Sequence, residues 1–194
     1  MKRTLHSLAA LIIAAAVPAA QASAQNLIFF AGGGAVWGTG DLSDGTDTGW
    51  IGFAGVDYPI VSVPGVAIGV SGIYAHIPYS DVDAATNIPG GFLDVSYLIG
   101  ATSPSPFKPY LRAGVGVISH RYDPGGGYND NSTSETKAAG AVGAGINWMM
   151  PSVTPFVGVH YLTGGSDTSF FTAYIGLSFG GGGGAKSPMR SMRR

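Results

Sequence analysis

The chain has 194 residues, 45% of them hydrophobic, with 32 glycines, no cysteine and a formal net charge of −1. Lack of cysteine excludes a disulfide framework, thiolate metal sites and a thiol nucleophile. The near-neutral total hides an uneven distribution: residues 25–179 hold eleven acids and four bases, a net of −7, so the body offers no electrostatic footprint for nucleic acid.

The first element is an export signal. Lys2 and Arg3 form a positive start, residues 8–17 an apolar run, and Ala22-Ser23-Ala24 a small-residue cleavage pattern, so residues 1–24 are expected to be removed and the mature chain to begin at Gln25. The apolar run is too short to cross a bilayer, which takes about 20 residues. No other stretch qualifies as a membrane helix. Any crossing must use strands, and only a closed barrel satisfies every backbone N–H and C=O in lipid.

From residue 27 onward one unit recurs eight times, a stretch of about ten residues, rich in Gly and aromatics, apolar at every second position. Strands are predicted at 27–38, 49–58, 66–76, 91–101, 108–121, 137–149, 155–163 and 169–179. Each suits a tilted strand crossing a bilayer, about 9–11 residues. The gaps alternate. Residues 39–48, 77–90 and 122–136 are long and acidic; 59–65, 102–107 and 150–154 are short, uncharged and contain Pro. The fourth gap of the first kind, 164–168, is a tight one. The predicted fold is all-β, an eight-stranded antiparallel up-and-down transmembrane β-barrel over residues 25–179, its long loops at one end.

The last strand alternates most strictly, with Phe171, Ala173, Ile175, Leu177 and Phe179 on one face and Thr172, Tyr174, Gly176 and Ser178 on the other. This predicts lipid on one side and a polar interior on the other. The same parity turns Asp57, Asp94, Lys108, Arg112 and Lys137 inward and leaves Arg121 outward at the outer rim. Asp57, Asp94, Lys108 and Arg112 are therefore expected to form an interior ion-pair network, with Asp94 and Arg112 paired across adjacent strands. Trp37, Trp50, Tyr74, Tyr161 and Phe171 fall at the outer ends of outward faces and Tyr58, Trp148 and Phe179 at the inner ends, as two aromatic girdles. A secreted β-sandwich would instead carry polar side chains on its solvent face.

The acids Asp41, Asp44, Asp47, Asp81, Asp83, Asp123, Asp130 and Glu135 mark candidate surface loops. Residues 41–47 resemble a calcium loop only loosely, lacking the Glu at the required spacing. Gly125-Gly126-Gly127 does not lead a strand into a helix, so it is no phosphate cradle. His120 and His160 both fall inward near outer strand ends, the placement that a metal or acid–base pair of the two would require. Ser119 and His120 are adjacent and point to opposite faces, which excludes a dyad. Residues 180–194 read as a Gly-rich basic tail on the inner side, carrying Lys186, Arg190, Arg193 and Arg194.

The alternating strand ending in Phe179, the Gly-rich strands containing Ala113-Gly114-Val115-Gly116 and Gly143-Ala144-Gly145-Ile146, and the loop asymmetry resemble the small eight-stranded barrels of the outer-membrane-protein-A-like, opacity and attachment–invasion porin superfamily. The resemblance covers residues 25–179. It implies a bacterial outer-membrane location, surrounding lipid and lipopolysaccharide, and a terminal aromatic read by the barrel-assembly machinery. The chain departs from that pattern by running fifteen residues past Phe179. The expected role is structural or one of surface interaction through the acidic loops, toward an extracellular ligand of unknown identity, with no cofactor, no metal and no catalysis. The alternatives are a small-solute porin and a lipid-modifying barrel enzyme.

Overall fold

In the computed structural model, which describes residues 27–43, 45–82, 84–123, 134–165 and 168–180, eight antiparallel strands close into a barrel. They are β1 (Ile28–Thr39), β2 (Gly49–Pro59), β3 (Val66–Pro78), β4 (Ala85–Leu98), β5 (Phe107–Asp123), β6 (Ser134–Trp148), β7 (Thr154–Thr163) and β8 (Ser169–Gly180). Each pairs with the next, and β8 closes on β1 from Ile28↔Gly180 to Thr39↔Ser169. Closure leaves no unpaired edge. A 3-10 turn, η1 (Gly40–Ser43), follows β1. The end carrying both ends of the barrel chain is called the base, the opposite end the crown. The proposed signal peptide, Asp44, Asp83, Asp130 and the tail beyond Gly180 lie outside the described residues.

The structure corrects the limits of the fourth strand. Residues 85–90, read from sequence as loop, are the crown half of β4. Pro89-Gly90-Gly91 has the composition of a turn, yet the β3 ladder runs unbroken through it, Tyr74↔Pro89 included. The β5 ladder instead skips from Asn87↔Arg121 to Gly90↔Ile118. A proline cannot donate to a ladder, and the interruption falls where its N–H is missing. Part of the long-loop asymmetry is thus strand: β3 to β6 rise higher at the crown than β7 and β8. The strand limits also make the inner turn at 99–106 longer than the 102–107 expected, and leave Gly180 inside β8 rather than in the tail.

A second correction concerns the lumen, expected to be polar. Beneath the crown it is filled by one apolar cluster, Val36, Leu42, Ile51, Ala75, Ile77, Ile88, Phe92, Ile118, Ala139, Leu162 and Phe170. Ten of the eleven are inward positions of the strands, and Leu42 comes from η1, which folds over the opening. Gly38 permits this fold, because a side chain there would run into the Leu42 carbonyl. Toward the base the filling turns aromatic, with Phe30, Tyr110, Phe156 and Tyr174 buried and Phe53 packed against them. Phe53 meets Tyr174 edge to face at 5.0 Å, a preferred arrangement of aromatic rings. Eight strands enclose a lumen just wide enough for side chains to fill.

Candidate functional site

The polar part of the lumen lies at the level of the aromatic layer, below the apolar cluster of the crown. Arg112 on β5 donates from Nη2 to Oδ1 of Asp57 on β2 at 2.6 Å, across the barrel axis. The same nitrogen lies 3.7 Å from Oδ2 of Asp94 on β4. Asp94 accepts a hydrogen bond from Ser71 Oγ at 2.5 Å. The guanidinium also sits 4.2 Å from the ring centroid of Phe30, a cation–π contact. One cation thus serves two buried carboxylates. Asp94, assigned from sequence as the partner of Arg112, is the second partner and Asp57 the first. Asp94 is on the strand next to Arg112, but a narrow barrel lets a long guanidinium reach across the axis to Asp57 as well.

Lys108 is not a member of this network. It is buried, but its Nζ donates to the carbonyls of Gly100 at 2.6 Å, Ala101 at 3.1 Å and Ser103 at 2.8 Å. It is inward-facing at the start of β5, too near the base to reach the acids, and it ties down the 99–106 turn. An inward Lys at a strand start beside a Gly-, Ser- and Pro-containing turn with no acid in it was the signal available in the sequence.

The histidines do not meet. His160 lies opposite Gly143 on β6 and His120 opposite Glu135. Those eight residues along β6 amount to about 26 Å of strand. His120 is half-buried at the crown rim, whereas His160 packs 4.8 Å from the Tyr174 ring, over Gly143, where any side chain would collide with it. The Tyr174 and Tyr110 hydroxyls are 3.0 Å apart. Arg112 Nε and His160 Nε2, two buried atoms without a protein partner, belong to residues lining one void of about 40 Å³. That is room enough for water. Ser119 faces outward and its Oγ lies 3.1 Å from that of Ser134.

A larger cavity of about 430 Å³ opens at the base, with Asp57, Arg112, Tyr110 and Phe156 among its walls. It reaches the ion pair from the base side; the crown side is occupied by the apolar cluster.

All eight girdle residues face outward, from Tyr74 at 36% exposure to Trp50 and Trp148 at 49%. At the crown, Trp37, Phe171 and Tyr161 are consecutive ladder partners across β1, β8 and β7, and Trp50 packs on Tyr74 at 5.6 Å. At the base, exposed Tyr97 and Phe107 join Tyr58, Trp148 and Phe179, with Phe107 stacked on Trp148 at 5.8 Å. Phe107 sat just outside the strand limits read from sequence, which hid it. Between the girdles the large outward side chains are Val, Leu and Ile: Leu93 is 65% exposed, Val115 67% and Ile175 68%. So wide an apolar surface is stable only against lipid.

Of the candidate loop acids, Asp47 accepts from Ser80 Oγ at 2.8 Å, which docks the first crown loop on the second, helped by Asp47 N→Pro78 O and Ser80 N→Gly45 O, both 2.9 Å. Asp81 and Asp123 are exposed, and Glu135 pairs with Lys137 at 3.2 Å. Asp41 lies in η1.

The description "outer membrane protein beta-barrel domain" matches residues 7–180. The chain belongs to this outer-membrane barrel family. Among solved structures, the fold is similar to Neisserial surface protein A, at 17% identity and TM-score 0.63, covering 79% of this chain and 96% of that one. The N-terminal barrel domain of Pseudomonas aeruginosa OprF is similar at 17% identity and TM-score 0.51, covering 80% and 97%. Ail, the attachment invasion locus protein of Yersinia pestis, is similar at 14% identity and TM-score 0.52, covering 80% and 98%. At such identities the likeness is one of fold. No curated protein sequence matches the chain. Like its relatives in the family, this is a barrel of the bacterial outer membrane.

Proposed function

We propose that this outer-membrane barrel is a sealed, non-catalytic scaffold whose crown faces the cell exterior and serves surface interaction. The carrying observation is the eleven-residue apolar cluster beneath the crown, corked by Leu42. A solute path would have to displace it, and open channels of this class use about 16–18 strands. The lumen's ion pair then acts as internal packing: Arg112, Asp57 and Asp94 compensate one another rather than face a substrate. The two crown loops docked through Asp47 and Ser80 form a fixed surface with exposed acids at its rim, suited to a partner of opposite charge. Neisserial surface protein A and the Yersinia attachment protein carry, by their names, surface and attachment roles of their own, which agrees with this reading.

Two experiments test it. The chain has no cysteine, so Thr48→Cys at the crown and Val61→Cys at the base are each uniquely labelled by an impermeant maleimide. Intact cells should label Thr48→Cys alone; labelling of Val61→Cys alone inverts the orientation. Replacing 40–48 and 124–133 by short Gly–Ser turns should abolish adhesion of expressing cells to a cationic matrix while the barrel remains folded. Unchanged adhesion removes the crown from the function.

A further inference from the structure

The cavity at the base differs in kind from the plug beneath the crown. Two turns frame its mouth, 60–65 between β2 and β3 and 149–153 between β6 and β7. They are four strands apart in a ring of eight, so they stand on opposite sides of the barrel. Val61 and Pro64 from the first turn and Met149, Met150 and Val153 from the second line the cavity. Neither turn carries a charged residue. Val61 is 80% exposed and Met149 40%, an apolar rim open to water. Inside, the walls turn aromatic, with Phe30, Tyr110 and Phe156. At about 430 Å³ the space is that of a small-molecule site, which takes about 300–1,000 Å³.

The closed end is charged and out of balance. Asp57 shares a rung with Ile28 and Gly180 and stands two residues from the end of β2, about 7 Å along the strand. Its Oδ1 accepts from Arg112, whereas its Oδ2 has no hydrogen-bond partner among the described residues, and Asp57 is part of the cavity wall. The same guanidinium is the described cation that lies against Asp94. Two carboxylates thus share one cation, and one negative charge stays uncompensated at the end of an apolar pocket. Burying such a charge is costly unless a partner meets it. Ser71 serves Asp94 with a hydrogen bond, so the acid left with a free oxygen is Asp57.

Lys108 does not supply the missing charge. It is four residues from Arg112 toward the base, about 13 Å along β5, and its Nζ is taken up by the carbonyls of Gly100, Ala101 and Ser103. A second cation on Asp57 Oδ2 balances the cluster. The rings beside it favour one, as the seat of Arg112 over Phe30 already shows. An anionic ligand would meet two carboxylates, and a wholly apolar one would leave Asp57 unpaired.

We propose that the base cavity binds a small organic ammonium ion with an apolar body. The ammonium donates to Asp57 Oδ2, and the body lies among Phe30, Tyr110 and Phe156 and points to the rim of Val61 and Met149. The plug beneath the crown stops the molecule there, so the site holds its ligand without passing it on. This site is separate from the crown and depends on neither its orientation nor its adhesion.

The test is calorimetric titration of the full refolded barrel in nonionic detergent, each variant first shown to be folded by heat-shifted gel mobility. Phenethylammonium should bind saturably, one per barrel, at least tenfold more tightly than phenethyl alcohol, and phenylacetate should not bind. That comparison needs no variant. Asp57→Asn should weaken the ammonium about tenfold and leave the alcohol unchanged. Ala67→Phe, at a buried wall position of the cavity, keeps every charge of the protein, including the exposed crown acids, and should abolish binding of both. Removal of residues 181–194, which carry four bases and no acid, should leave the affinity unchanged. The proposal is overturned if the alcohol binds as tightly as the ammonium, if Asp57→Asn or Ala67→Phe binds the ammonium as the parent does, or if removal of 181–194 tightens binding tenfold, which would make the chain's own basic segment the occupant.

Discussion

Removing Arg112 tests how the lumen is held together. In Arg112→Ala two carboxylates, Asp57 and Asp94, lose their only described cation; in Asp57→Ala or Asp94→Ala one carboxylate still faces it. At an effective dielectric of about 20, the 2.6 Å contact to Asp57 is worth about 6 kcal/mol of gross attraction and the 3.7 Å contact to Asp94 about 4.5 kcal/mol. Desolvation consumes most of both, and only Asp57 adds a charge-assisted hydrogen bond, about 1.5–3 kcal/mol. Breaking a buried pair from one side costs about 3–5 kcal/mol, so Arg112→Ala should fall at the top of that range. Asp57→Ala should cost less, and Asp94→Ala least, although it also strands the Ser71 hydroxyl. In double-mutant cycles Asp57 and Arg112 should couple about 2 kcal/mol more strongly than Asp94 and Arg112. Urea unfolding in lipid vesicles, followed by gel mobility and tryptophan fluorescence, measures every term. Additive losses for Asp57 and Arg112, or equal coupling for the two acids, would refute the assignment of Asp57 as first partner.

Lys108→Met should destabilise the barrel by about 1–3 kcal/mol by leaving turn carbonyls unpaired, and its effect should add to that of Asp57→Ala, because the two do not touch; urea titration of the double mutant checks this. Phe170→Ala, at a fully buried site beneath the crown, should cost about 3–5 kcal/mol in the same assay. Gly143→Leu should block folding because the His160 ring covers that position, and His160→Gly in the same chain should restore the heat-shifted band on a gel. Deleting Phe171–Phe179 should leave the chain in periplasmic aggregates, since β1 and β7 both lose their partner, whereas removal of residues 181–194 alone should still give a folded membrane band on fractionation.

The faces of the strands were legible because side chains alternate with a period of two and lipid tolerates only apolar groups. Phe171 to Phe179 and Leu111 to Val117 show this without help from context. The crown half of the fourth strand, 85–90, was not legible, because Pro89-Gly90-Gly91 carries the local signal of a turn and only its pairing with β3 decides otherwise. Nor was the apolar filling under the crown, since Val36, Ile77, Ile88 and Phe170 sit near strand ends where either face can be apolar. Strand adjacency leads to the Asp94–Arg112 ion pair, whereas the closer approach of Asp57 depends on distances across the axis.

The central claim is that the lumen is closed beneath the crown, and single-channel recording tests it most directly. Purified barrel in a planar bilayer should show no stable unitary conductance, while Leu42→Gly combined with Phe170→Ala should introduce one if it remains folded, because it removes the cork and the largest fully buried side chain of the plug. A reproducible conductance step in the unaltered protein, unaffected by substitutions at Leu42 and Phe170, would contradict the account.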